Sequence, residues 1–205
     1  MSHIAILGAT GRAGSRIATE LLGRGHTVTG IARNIAQAEA RPGLAFKQAD
    51  ATQVDSLAPA LRGHDAVISA TRFAGGSDAA TVIAAARQAG VPRLLVVGGA
   101  GSLEVAPGQA LVDTPQFPEA YKPEALAGRV FLEALQAEQD LDWTFLSPSA
   151  LFAPGERTGK FRLGGDRLLT AADGKSWISM EDYAIALADE FEKPAHSHQR
   201  FTVGY

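Results

Sequence analysis

Short apolar runs alternate with amphipathic stretches of helical period along most of this chain. Ile4-Ala5-Ile6-Leu7 reads as a buried strand, and after a glycine-rich turn Ile17, Leu21 and Leu22 fall on one side of a helix. Val28 to Ala32 is a second strand, and Leu44-Ala45-Phe46 starts a third that ends in Gln48-Ala49-Asp50-Ala51-Thr52. A helix over about Val54 to Leu61 follows, then a turn at Gly63-His64-Asp65 and a fourth strand, Ala66 to Ala70. Ser77 to Gly90 is a helix closed by its glycine, and Leu94-Leu95-Val96-Val97 is the near-continuous apolar run of a parallel strand covered on both faces. Leu103 to Pro123 is irregular and long for a plain connection. Pro123 to Gln139 is the next helix, burying Phe131, Leu132 and Leu135, before a sixth strand from Leu141 to Leu146. A helix from Glu181 to Phe191, N-capped by Ser179, and a closing strand, Phe201-Thr202-Val203, complete the pattern. Strand and helix alternating from residue 3 to residue 147 imply right-handed crossovers between parallel strands, hence an α/β, doubly wound sheet.

Ligands in such sheets lie outside the carboxyl ends of the strands, where strand order reverses. That rule gathers Gly8, Arg33, Asp50, Ala70, Gly98 and Ser147 onto one edge. The turn Gly8-Ala9-Thr10-Gly11-Arg12-Ala13-Gly14 has the spacing G-x-x-G-x-x-G between strand and helix. Its first glycine permits a sharp turn, its second lets backbone approach a pyrophosphate, and its third lets helix pack on strand. The phosphates would face free N–H groups and the positive end of the helix dipole. Gly8, Thr10, Gly11, Arg12, Ala13 and Gly14 are therefore expected at the pyrophosphate and ribose of a dinucleotide. The second strand ends in Arg33-Asn34 with no acidic residue. An acid there would suit NAD, whereas arginine suits the 2′-phosphate of NADP, which favours NADP with Arg33 as its ligand. Asp50 and Ala51 are candidates for the adenine, although Asp50 or Thr52 could equally cap the following helix. Small Ala70 and Thr71 suit the ribose. Gly98, Gly99, Pro148 and Ser149 would line the nicotinamide, with Ser102, Tyr121 and residues 151–160 facing the second substrate.

The 205 residues suffice for one domain over 1–205, with 148–180 as a C-terminal region covering the substrate. A net charge of −3 gives no sign of nucleic-acid binding or a polybasic membrane patch, and no apolar stretch is long enough to span a bilayer. The chain has no cysteine, so disulfides and thiol catalysis are excluded. With no signal peptide before the first strand, a cytoplasmic protein is expected, as monomer or homodimer. His196 and His198 read as an i, i+2 pair without a carboxylate set, and no metal site is expected. Trp143 and Trp177 read as core or loop packing.

The glycine loop, Gln48-Ala49-Asp50-Ala51, Leu141-Asp142-Trp143-Thr144, Ser147-Pro148-Ser149 and Ile178-Ser179-Met180-Glu181-Asp182-Tyr183-Ala184 resemble the atypical short-chain dehydrogenase/reductase superfamily. Val96-Val97-Gly98-Gly99-Ala100-Gly101-Ser102-Leu103 and Ser147 through Gly159 make the chain more narrowly similar to NADH-flavin reductases, and more distantly to biliverdin-IXβ/flavin reductase. The resemblance implies a Rossmann fold, a nicotinamide cofactor, and reduction of a flavin (FMN or FAD) or related small molecule. One departure bears on mechanism. The superfamily's Tyr-x-x-x-Lys pair falls here on Ala125 and Arg129, and Gly99 stands where its serine would be. Tyr121-Lys122 are adjacent and cannot share a helical face. Carbonyl chemistry with a fixed proton donor is thus unsupported. Hydride transfer to a flavin, quinone or similar planar acceptor needs only two rings held face to face at about 3–3.5 Å, with protons from solvent. The catalytic residue is unassigned, Ser102 and Tyr121 being the candidates. A non-enzymatic sensor of the NADP/NADPH ratio is the alternative.

Overall fold

The computed structural model describes residues 1–36 and 38–205. The strands are β1 (His3–Leu7), β2 (Thr27–Ala32), β3 (Leu44–Gln48), β4 (Ala66–Ser69), β5 (Arg93–Val97), β6 (Glu104–Ala106), β7 (Gln109–Ala110), β8 (Asp142–Pro148), β9 (Leu151–Ala153), β10 (Arg162–Gly164), β11 (Trp177–Ser179) and β12 (Gln199–Gly204). The helices are α1 (Arg12–Gly23), α2 (Val54–Leu61), α3 (Ala79–Ala89), α4 (Lys122–Gln136) and α5 (Met180–Glu192). Eight strands form the main sheet in the order β10-β12-β8-β5-β4-β1-β2-β3. All neighbours are parallel except β10, antiparallel to β12, so the expected Rossmann-like, doubly wound architecture is present. The chain reverses direction across the sheet between β1 and β4, which places the switch point there.

Two apolar layers sandwich the sheet. Leu57, Val82, Val96, Phe131, Leu135 and Phe145 join strands to α2, α3 and α4. Ile4, Ile6, Ile17, Leu21, Tyr183 and Phe201 join the other face to α1 and α5. Tyr183 is wholly buried, which pushes its phenol pKa up, and its hydroxyl donates to the Leu146 carbonyl at 2.7 Å. α5 is thereby fastened beside the end of β8.

Local chemistry explains where the observed bounds differ from the sequence pattern. α3 begins after Ser77 because the Asp78 carboxylate accepts from Thr81 N–H and caps it. It ends at Gly90, which sits in the left-handed region at φ +70°. α4 stops at Gln136 rather than Gln139, since Glu138 Oε1 accepts from the N–H groups of Asp140 and Leu141 and turns the chain into β8. Ser179 caps α5 as expected. Neither Asp50 nor Thr52 caps α2: the N-cap is Gln53, and Asp50 Oδ1 instead accepts from Thr52 N–H and Oγ1. The edge strand β10 and the hairpin β6–β7 are too short to register as periodic runs. His196 has one carboxylate neighbour, its Nδ1 lying 2.8 Å from Glu190 Oε2. Glu190 further holds Arg93 Nη2 at 2.9 Å, which ties α5 to β5. Among the described residues no group of three or more His, Asp or Glu is arranged to hold a metal, and no helix is long and apolar enough to cross a membrane.

Candidate functional site

The glycine loop leaves β1 at the switch point with little room for side chains. Gly8 has φ +80°, and a Cβ there would meet the Ala70 carbonyl oxygen at 2.7 Å. A Cβ on Gly14 would come within 2.1 Å of the Gly8 oxygen, so α1 can approach the loop only without one. Gly11 is the N-cap of α1, and neither a side-chain cap nor an acidic residue occupies the first turn. The N–H groups that begin α1 therefore have no side-chain anion of their own.

Beside this loop the carboxyl ends of β1 to β4 enclose a cavity of about 410 Å³. Gly8, Arg33, Asp50, Ala51 and Thr71 all line it. Ala70 does not line it; its carbonyl faces the Gly8 position instead. The Asp50 carboxyl is held below its ordinary range, first by the Thr52 N–H, then by the Thr52 hydroxyl, with a smaller attraction from Arg33. The wall thus carries an acceptor-only carboxylate and a cation. The described residues fit a dinucleotide: a loop closed to Cβ atoms, an uncapped helix start, and a polar cavity beside them lined by Asp50 and Arg33.

A second cavity, about 420 Å³, lies over Gly98 to Ser102 at the end of β5. Its far wall is the 103–123 excursion and the start of α4: Leu111, Phe117, Pro118, Tyr121 and Ala125. Ser102 and Tyr121 both reach it, although Tyr121 is largely exposed. The empty tyrosine position now has a physical account. A Cβ on Gly101 would sit 2.6 Å from the Ala125 Cβ, so α4 packs directly on the β5 loop, and the short Ala125 side chain leaves open cavity where a larger one would project. Arg129, where a lysine would stand, makes a two-pronged ion pair with Asp113 at 2.7 and 3.2 Å and so fixes the turn carrying Leu111 and Val112. Neither position bears a proton donor aimed at a substrate.

The loop 71–77 separates the two cavities. Thr71, Arg72, Gly75, Gly76 and Ser77 face the first, and Phe73 faces the second. Glu124 of α4 clips this partition, Oε1 accepting from Phe73 N–H at 2.8 Å and Oε2 from Ala74 N–H at 2.9 Å. The Phe73 ring packs at 5.2 Å on Phe131 and 6.1 Å on Phe145. Sequence reasoning missed Arg72, Phe73 and Glu124. The only local signal was Gly75-Gly76 after a strand end, which marks a tight loop: a Cβ on Gly76 would fall 1.8 Å from the Arg72 oxygen.

Other expected positions fall elsewhere. Thr10 lines a separate groove of about 580 Å³ between α1 and β3, with Arg16, Thr19 and Phe46. That groove exists because the β2–β3 crossover carries no helix among its described residues. Arg12 and Ala13 stand at the start of α1 and line neither edge cavity. Pro148 is the last residue of β8, and the Ser149 hydroxyl is turned away to donate to the Val203 carbonyl at 3.0 Å. Of the residues expected to face the second substrate from 151–160, none lines the second cavity; Ala150 does. The reason is visible in the hydrogen bonds. Gly155 N–H goes to Glu181, Thr158 and Gly159 N–H go to the buried Asp182, and Arg157 pairs with Glu20 of α1. The acidic first turn of α5 draws this stretch over α5 and α1 instead.

Comparison with known proteins gives a consistent fold and mixed descriptions. The sequence model of a family described as NAD(P)H-binding matches residues 8–194. A solved structure from Burkholderia pseudomallei, titled a "putative exported protein", is 49% identical with full coverage of both chains and a TM-score of 0.91. One from Bacteroides thetaiotaomicron, titled a "putative epimerase", is 41% identical over 100% of this chain and 97% of that one, with a TM-score of 0.93. A third, from Streptococcus pneumoniae, titled a "putative NADH-flavin reductase", is 38% identical over 100% and 99%, with a TM-score of 0.85.

Proposed function

Because the chain belongs to the NAD(P)H-binding family, we propose that it is an NADPH-preferring reductase that passes a hydride to a planar acceptor such as a flavin or quinone. The observation that carries this reading is the second cavity: apolar, beside Gly98 and Gly99, and without a fixed acid or base where the superfamily's tyrosine would stand. Bound NADPH would supply the hydride and leave as NADP+, the acceptor's second hydrogen coming from water as a proton. The chain's own contribution is placement. Gly8, Gly11, Gly14 and the start of α1 receive the pyrophosphate, Arg33 the 2′-phosphate, Asp50 and Ala51 the adenine. Gly98 and Gly99 leave room for the nicotinamide, and Phe73, Phe117 and Tyr121 flank the acceptor ring. The Streptococcus title names the same chemistry. The Bacteroides title names another, which inverts a carbon centre by removing and returning a hydrogen and needs an acid–base group that Ala125 and Arg129 do not offer. Steady-state NADPH oxidation decides: turnover with flavins and quinones but not with aliphatic ketones is expected. Tight binding of both cofactor forms with no turnover on any acceptor would overturn the reading in favour of a redox sensor.

A further inference from the structure

The cavity over Gly98 to Ser102 is apolar for most of its wall, from Phe73 and Leu111 through Phe117, Pro118 and Ala125 to Ala150. Among the described residues its one charged lining residue is Glu124, and no lysine, arginine or histidine lines it. Both Glu124 oxygens accept backbone N–H bonds, the pattern of an ionised carboxylate. The cations behind the wall each have a carboxylate. Arg129 is paired with Asp113, Lys122 with Glu119, and Arg200 with Asp166 while also reaching Ser102 Oγ at 3.4 Å. Arg72, 3.7 Å from Glu124, is highly exposed and lines the dinucleotide cavity.

We propose that this cavity selects an uncharged planar ring and disfavours the same ring carrying a phosphate. The proposal rests on the cavity being the acceptor seat and deepens that reading by naming the acceptor's charge class. An anionic acceptor loses hydration on entry, meets Glu124, and finds no unpaired cation on the lining to replace its water. The dinucleotide cavity differs in this respect, since Arg33 and Arg72 stand on its wall. Each phosphate charge about 10 Å from Glu124 at an effective dielectric of about 20 is disfavoured on the order of tenfold, and the exposed Arg72 beside Glu124 offsets part of what a second phosphate charge adds.

Riboflavin and FMN share one redox ring and differ by a phosphate, so they test charge alone. With saturating NADPH, kcat/KM for riboflavin is expected to exceed that for FMN about tenfold at low salt, the gap narrowing as salt screens Glu124. In the protein loaded with NADP+, quenching of flavin fluorescence should give the same order of affinities. Glu124→Gln should reduce the ratio, and the salt dependence of the unaltered protein gives the same information should that variant fold poorly. Equal values, a preference for FMN, or no binding of either flavin overturns the proposal. Preferential binding of riboflavin with no NADPH oxidation supports the charge selection and overturns only the reductase reading.

Discussion

The two cavities at the carboxyl edge are made by opposite means. The cavity proposed for the dinucleotide is assembled from the ends of four strands within the first half of the chain, and what it offers a ligand is backbone and charge. Glycines remove Cβ atoms at 2.1 to 2.7 Å from neighbouring carbonyls, a helix start is left uncapped, and Arg33 waits at a strand tip. The acceptor cavity has no such motif. It arises where α4 settles on Gly101 and the 103–123 excursion closes over it, so its specificity lies in packing. Recognition of phosphate can be written as spacing, whereas the shape of an apolar seat depends on contacts between distant segments. The two should therefore fail independently.

The most severe test of that independence is Gly14→Val. Its added carbons would collide with the Gly8 carbonyl, which backbone cannot yield without moving the loop. Calorimetry is expected to show dinucleotide affinity lower by about 100-fold or more, at an overpacking cost of roughly 1–3 kcal/mol or above. Unchanged affinity would remove the glycine loop from the site. Next, Arg33→Ala should weaken NADPH by about 10–100-fold, the loss of a hydrogen-bonded charge pair of about 1.5–3 kcal/mol, and leave NADH within a factor of about two. Equal loss for both would place the 2′-phosphate elsewhere. On the other side, Ala125→Leu should push α4 against Gly101 and fill the acceptor seat. It should lower acceptor kcat/KM about tenfold, within the cost of overpacking, while the NADPH Kd stays constant. A parallel fall in both would show that the partition held by Glu124 transmits strain from one cavity to the other.

This asymmetry also explains which features are legible in the amino-acid sequence. Parallel strands, α2 to its residue bounds, the Ser179 cap and the glycine loop all follow from periodicity or from local hydrogen bonding. Arg33 and Asp50 followed from one rule about strand ends, and both line the cavity beside the loop. What the chain did not disclose depends on partners far away in sequence. Ser149 looked like a site residue by position, yet β12 claims its hydroxyl. Residues 151–160 read as facing the second substrate, yet Asp182, buried and accepting from Thr158, Gly159 and Tyr205, pulls their C-terminal part to α5. Glu124 carried no signal, because its partners are backbone N–H groups some fifty residues upstream, separations of 51 and 50.

The smallest expected effect lies at the opposite edge of the sheet and serves to isolate both cavities. His64 precedes β4 and is buried, with its ring 4.1 Å from that of His3 at the start of β1. Its Nδ1 lies 2.8 Å from the Leu61 carbonyl, so that nitrogen carries the proton and Nε2 is left buried without a partner. Burial, aided by His3 and Lys47 and opposed by the Leu61 carbonyl, pushes the imidazole pKa below its ordinary value. A histidine whose folded pKa is depressed binds its proton more readily when unfolded. Stability is therefore full above the unfolded pKa of about 6.5 and declines as pH falls below it, until the folded pKa is also passed. His64→Asn keeps a donor for Leu61 and removes the titration. Between about pH 7.5 and about pH 5.5 its Tm should fall less than that of the unaltered protein, by about 2–4 °C. Dinucleotide and flavin affinities at about pH 7.5 should not change, because neither cavity includes this edge. An identical Tm slope in the two proteins would mean that His64 takes up its proton as readily in the fold as in the unfolded chain, and a change in either affinity would mean that the carboxyl edge is not insulated from the amino edge.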